Sequence, residues 1–87
     1  MFVVGGESLV DLLPIAGSSE REAKAGGSPY NCAIALSKLG NETGFLCPIS
    51  KDAYGDMLLT PLVEARVKLL LPERVDAPTT KAIVNFD

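Results

Sequence analysis

Residues 24–40, KAGGSPYNCAIALSKLG, set the tightest limit on what this chain can become. Ser28 has the side-chain oxygen of an N-cap, and Pro29 suits the first helical position, where its missing N–H costs nothing and its fixed φ already fits. Lys38 complements the negative end of the helix dipole, and Gly40 tolerates the left-handed backbone that follows a last turn. These signals predict a helix that starts at Pro29 and stops before Gly40. Cys32, Ala35, Leu36 and Leu39 mark one apolar face, while Ala33 and Ile34 carry apolar surface around much of the cylinder. Such a helix needs cover on two sides.

A chain of 87 residues makes one small domain at most and buries only about 60–65% of its unfolded surface. A helix buried on both sides strains that allowance, and the chain ends directly after a strand-like run. The expectation is a fragment of a larger fold. The alternative is a complete small domain that dimerises to cover itself.

Composition narrows the function. A net charge of −3 supplies no basic field for nucleic acid. No apolar run approaches the roughly 18 residues that span a bilayer, and Met-Phe-Val-Val lacks the positive leader of a secretory signal. The expected setting is cytoplasmic, with neither a nucleic-acid nor a membrane partner. The only cysteines are Cys32 and Cys47, and no histidine is present to complete a metal site or a catalytic dyad. Both are read as reduced core thiols.

Along the chain, residues 2–4 open an apolar strand that resumes through Leu9, Val10, Leu12 and Leu13. It is read as one strand, broken or bulged at Gly5-Gly6. Residues 16–25 are small and polar, suiting a solvated loop or the edge of a flap. After the helix, Thr43–Ile49 is strand-like, and Tyr54–Ala65 places Met57, Leu58, Leu62 and Ala65 at helical spacing. Val67–Leu71 is a short apolar run, and residues 81–86 alternate as a further strand. The order β, α, β, α, β favours an α/β fold with parallel strands. Ligands of such sheets sit at the carboxyl ends of strands, which brings Asp11 and Gly26-Gly27 toward one mouth.

Three features bear on chemistry. The glycine pair lets backbone approach a ligand, and amides at a helix N-terminus suit a polyol or an anion; ordinary turn chemistry explains the same glycines equally well. Asn31 carries two donors and an acceptor on an otherwise apolar helix, so it caps locally or reaches a ligand. Asp11 interrupts an apolar stretch; its carboxylate either takes hydrogen bonds from a sugar hydroxyl pair or bonds nearby amides in a loop. Gly5-Gly6-Glu7 fails the dinucleotide fingerprint because Val10 stands where the third glycine belongs, and no Walker loop is present.

The segments GESLVDLLP, AGGSPYNCAIALSKLG, FLCPISKDAYGDMLLTPLVEARV and TTKAIVNFD together resemble the beginning of a ribokinase-like (PfkB family) carbohydrate kinase. The glycine-glycine-x-x-x-asparagine helix entry is the specific part, and GGSPYN is most like the fructokinase or ketodeoxygluconate kinase subgroups. The resemblance implies a Rossmann-like ribokinase fold with part of a small β-sheet lid. Residues 1–87 would be an N-terminal fragment of a single larger kinase domain, with about 12–25 and 67–80 as lid segments. It implies phosphoryl transfer from ATP, with Mg²⁺, to a sugar hydroxyl, and a homodimer formed through the lid. Carried over, Asp11 matches the aspartate that holds sugar hydroxyls, Gly26 and Gly27 the glycines lining the sugar, and Asn31 the asparagine that hydrogen-bonds it. Asp52 and Gly55 match a D-x-x-G element read as turn and cap.

Cys47 and Ser50 replace glycines common in the family. Arg66 stands where a glycine often ends the second helix, so left-handed backbone there would be unfavourable. No catalytic residue is assigned: the family's later G-x-G-D aspartate and its ATP pocket have no counterpart here, and Asp56 in YGDM lacks that setting. The alternatives are a nucleoside kinase of the same fold, or a non-catalytic small-molecule binding or dimerising module.

Overall fold

The computed structural model describes residues 1–83. Eight elements follow one another: β1 (Phe2–Gly5), β2 (Leu9–Pro14), β3 (Arg21–Gly26), α1 (Ser28–Lys38), β4 (Thr43–Leu46), α2 (Ala53–Glu64), β5 (Lys68–Leu69) and β6 (Lys81–Ile83). They build two three-stranded sheets. The first is parallel in the order β1-β4-β5. The second has the order β3-β2-β6, with β2 antiparallel to β3 and parallel to β6. The α/β architecture with parallel pairing is as the alternating pattern implied.

One strand of the sequence reading is in fact two. Residues 2–13 do not run as a single broken strand: β1 pairs with β4 in the first sheet, and β2 enters the second. Gly5-Gly6 has no side chains to pack, so the chain leaves the first sheet there instead of bulging within it. The strand expected over residues 43–49 stops at Leu46, just before Pro48, which has no amide to donate. The run at 67–71 reduces to Lys68–Leu69. The strand expected over 81–86 is described at Lys81–Ile83, its remainder lying outside the described residues. Residues 12–25 fall on β2, the turn after it and β3, whereas 67–80 hold β5 of the first sheet and the connection into β6.

The core collects Val10, Tyr30, Ala33, Phe45, Cys47, Ile49, Leu58, Leu62 and Val67. Phe45 on β4 meets Tyr30 of α1 edge to face, with ring centroids 6.1 Å apart. The Tyr30 hydroxyl donates to the Leu58 carbonyl of α2 at 2.7 Å, joining the two helices. Burial pushes the Tyr30 phenol up to about 12. Each fully buried side chain of the size of Phe45, Leu58 or Leu62 stabilises the fold by about 1.5–3 kcal/mol. Tyr30 within GGSPYN is thus a core residue.

α1 buries Tyr30 and Ala33, three residues apart, and half-buries Ile34 and Ser37 beside them. That orientation turns Cys32 and Ala35 outward and leaves Leu39 80% exposed. Cys32 is therefore not a core thiol, and only Cys47 is buried. The cover expected on the second side of α1 is not supplied by residues 1–83. Both helices end in the same way. At α1 the Gly40 amide donates to Ser37 and the Asn41 amide to Leu36; at α2 the Arg66 amide donates to Val63 and the Val67 amide to Leu62. This paired bonding needs left-handed backbone at its turning residue, which Gly40 adopts at φ +92° and Arg66 at φ +62°.

Candidate functional site

β2 and β3 pair so that Leu9 faces Gly26 and Asp11 faces Lys24. Residues two apart share one face of a strand, so Asp11 and Gly26 lie diagonally on the same face. A Cβ built on Gly26 would stand 2.9 Å from Asp11 Oδ2 and 3.8 Å from a Leu9 methyl. The missing side chain is the space that the carboxylate occupies. Asp11 is half-buried, and its carboxylate has no hydrogen-bond or ion-pair partner among the described residues.

Gly27 follows with φ +106°, a conformation closed to other residues, and a Cβ there would lie 3.1 Å from the Glu7 carbonyl oxygen. It is also the N-cap of α1. The Ser28 cap expected from sequence is not formed: Ser28 is already helical, and no side chain bonds the first turn. Pro29 sits at the helix start as expected. Asn31 lies one turn in, exposed, with its backbone N–H donating to the Gly27 carbonyl at 2.9 Å. The structure thus joins Asp11, Gly26 and Gly27 directly and attaches Asn31 to them through backbone. The positive end of α1 stays uncapped by any side chain beside a carboxylate with free acceptors.

The N-terminus of α2 is the opposite. Asp52 Oδ1 accepts from the Gly55 amide at 2.7 Å and the Thr79 hydroxyl at 2.6 Å, and Oδ2 accepts from the Thr79 amide at 2.9 Å. The Thr79 hydroxyl first, then its amide, hold the Asp52 carboxyl down at about 2, with smaller help from Gly55 and Ser50 against the opposing effect of burial. A Cβ on Gly55 would fall 1.9 Å from the Ser50 carbonyl oxygen. Arg74 lies over this turn, donating to the Ser50 carbonyl at 2.8 Å and to Asp56 at 2.7 Å. The D-x-x-G element is a turn and cap, as read from sequence. Its partners Thr79 and Arg74, 27 and 24 residues away from Asp52 and Ser50, were not.

A cleft of about 210 Å³ opens between the two junctions, walled by Glu7, Ser8, Cys47, Ser50, Thr79 and Thr80 among others. None of the four sequence-derived site residues lines it. Glu7 and Ser8, which do, also back onto Gly27. The buried Ser8 hydroxyl lies 3.6 Å from the Cys47 sulfur. Sequence reasoning passed over these hydroxyls; Thr79-Thr80 directly before a strand is the one local sign of them.

Comparison with known proteins gives the family and the fold. The chain is 36% identical over 89 residues to a fructokinase of Rhizobium leguminosarum bv. trifolii, an alignment covering 99% of this chain and 27% of that protein. The crystal structure of fructokinase from Xylella fastidiosa superposes with a TM-score of 0.84 at 29% identity, covering 99% of this chain and 28% of its own. Aminoimidazole riboside kinase from Salmonella enterica, solved with aminoimidazole riboside and an ATP analogue, gives 0.83 at 28% identity over 98% of this chain and 29% of its own. The chain thus spans somewhat more than a quarter of the length of these relatives. The pfkB family carbohydrate kinase profile matches residues 3–87, and with the two-sheet ribokinase-type arrangement in place the chain belongs to that family.

Proposed function

We propose that residues 1–87 are the sugar-recognising part of an ATP-dependent carbohydrate kinase that phosphorylates a hydroxyl of a fructose-like or ketodeoxygluconate-like sugar. The observation that carries this reading is the Asp11 carboxylate. It is half-buried against Gly26 with no hydrogen-bond partner among the described residues, on a strand paired with the one that leads into the open N-terminus of α1. A vicinal hydroxyl pair would donate twice to it in charge-assisted bonds. Gly26 leaves room for the carboxylate, Gly27 turns the backbone into the helix, and Asn31 offers an amide to a further hydroxyl. The sheet β3-β2-β6 is the lid in this reading, and its outer strand β3 is the edge through which two copies would pair. The fructokinase relatives support the sugar, and the ATP analogue of the riboside kinase supports the phosphoryl donor.

The described residues do not fit Mg²⁺. Asp52 is saturated by Gly55 and Thr79, Asp56 is held by Arg74, and the described carboxylates and thiols gather nowhere in a group of three. ATP, its metal ion and the base that deprotonates the sugar are assigned to parts of the protein outside this chain. No helix among the described residues is long and apolar enough to cross a membrane, and the reading puts the protein in the cytoplasm, where sugar and ATP meet.

The test is Asp11→Asn in the full-length gene product, assayed with fructose and ATP. Sugar kcat/KM is expected to fall by about 1.5–3 kcal/mol, the range for a hydrogen bond to a charged group, with the KM for ATP unmoved. An unchanged KM for sugar removes Asp11 from the site. Turnover of a purine riboside in preference to fructose would turn the assignment to a nucleoside kinase.

A further inference from the structure

The connection between β5 and β6 is long and lacks regular structure, yet it is stitched along the start of α2. The Val75 amide donates to the Ile49 carbonyl and the Lys51 amide to the Val75 carbonyl, both at 2.9 Å. Arg74 binds the Ser50 carbonyl and Asp56. Thr79 gives both its hydroxyl and its amide to Asp52, and the Lys81 ammonium lies 5.6 Å above the Tyr54 ring. Asp52 needs only one oxygen to cap α2, the one facing the Gly55 amide. Its second oxygen and the Thr79 hydroxyl bond are surplus to that task.

The surplus leads toward Asp11. Immediately after Thr79, the Thr80 carbonyl accepts from the Val10 amide at 3.0 Å, and in the following strand Ala82 stands opposite Asp11. β2 is thus held on one flank by β3, which carries Gly26, and on the other by β6, whose first residues are anchored to α2. Every link from Asp52 through Thr79, Thr80 and Val10 to Asp11 is either a hydrogen bond or a peptide bond. We infer that Asp52 and Thr79 are a positioning pair for sugar recognition: they fix the second sheet on the first turn of α2, and so fix where the Asp11 carboxylate stands relative to Gly27 and α1. The inference rests on the reading of Asp11 as the sugar acceptor. Neither Asp52 nor Thr79 touches the sugar in this scheme.

The experiment compares Thr79→Val, Thr79→Ser and Asp11→Asn in the full-length gene product, with fructose and ATP as substrates and a melting curve for each. Thr79→Val removes one charge-assisted bond and leaves the cap of α2 in place. Its KM for fructose is expected to rise about tenfold, the lower end of what such a bond is worth, with kcat and the KM for ATP within about twofold of wild type. Thr79→Ser restores the hydroxyl and is expected to return the KM for fructose to within about twofold of wild type. A Thr79→Val protein that melts earlier but keeps its KM for fructose overturns the inference, as does one in which kcat falls alone. An Asp11→Asn protein with unchanged KM for fructose instead overturns the site reading, and that arm leaves the clamp untouched. Should Thr79→Val not fold, Tyr54→Leu carries the test. It removes the aromatic contact with Lys81 and keeps an apolar side chain against the core, and its KM for fructose is expected to rise about twofold to threefold at unchanged kcat; no rise overturns the inference.

Discussion

The two helix entrances of this molecule have the same ingredients and opposite states. Each is a loop that runs from a strand into a helix and relies on a glycine: Gly27 at the N-cap of α1 and Gly55 in the first turn of α2. At α2 the charge of Asp52 is consumed by Gly55 and Thr79, Arg74 covers the turn, and the junction is closed. At α1 no side chain caps the turn, and the nearby carboxylate of Asp11 has no hydrogen-bond partner among the described residues. Satisfied polar groups hold a fold together, and groups held in place without partners are the ones free to meet a ligand. The difference teaches that a glycine and an acid at a helix start do not define a site. What the α1 entrance has in addition is unspent bonding capacity, which the proposed sugar site would use.

The largest effect that would test this contrast is Gly55→Ala. The added carbon meets backbone at the Ser50 carbonyl, which cannot swing aside as a side chain end would. A loss of about 3 kcal/mol in urea unfolding is expected, at the upper end for overpacking. A loss below about 1 kcal/mol would mean that the closed junction is loose.

Gly27→Ala comes next, at about 1–3 kcal/mol, because φ +106° is strained for any residue with a side chain. Gly26→Ala sharpens the same point from the other direction. Its backbone is unstrained and its nearest obstacle is the movable carboxylate of Asp11, so a stability change of under about 1 kcal/mol is expected, together with a raised KM for fructose in the full-length gene product. Equal stability losses at the two positions would erase the distinction between them.

Acid separates the two junctions without mutation. The Asp52 carboxyl is depressed to about 2, against an ordinary value of about 3.9 in the unfolded chain. A depressed carboxyl contributes stability that is present above the unfolded value and is lost as pH falls through the folded one. Stability is therefore expected to drop between about pH 4 and pH 2, and Asp52→Asn should flatten that limb of the unfolding profile. A limb unchanged by Asp52→Asn would detach the acid response from the closed junction.

A small effect of opposite sign lies at the far ends of the same helices. Gly40 and Arg66 make the same turn, but only Gly40 does so without steric cost. Arg66→Gly is expected to stabilise the fold by about 1 kcal/mol, read as a rise in melting temperature. A fall would mean that the Arg66 side chain has a role that outweighs its strain.

What the sequence determined by itself is local. The alternation of strands and helices from α1 to β5, the stop of α1 at Gly40, the unfavourable place of Arg66, the cap made by Asp52 with Gly55, and the glycine pair leading into α1 were legible, whereas the three separate strands before α1 were not. Each depends on φ preferences and hydrogen bonds that reach only a few residues along the chain. What the tertiary structure decided is which distant groups meet. It sent residues 2–5 and 9–14 to different sheets, and it turned Cys32 outward by choosing Tyr30 and Ala33 as the buried side of α1. It gave Asp52 a partner 27 residues away and gave Gly26 a reason to be glycine by leaning Asp11 across it. No periodicity or turn signal encodes such pairings, because a contact across a long loop must first offset the entropy of closing that loop. It is then decided by the packing of the whole molecule, not by the residues at either end.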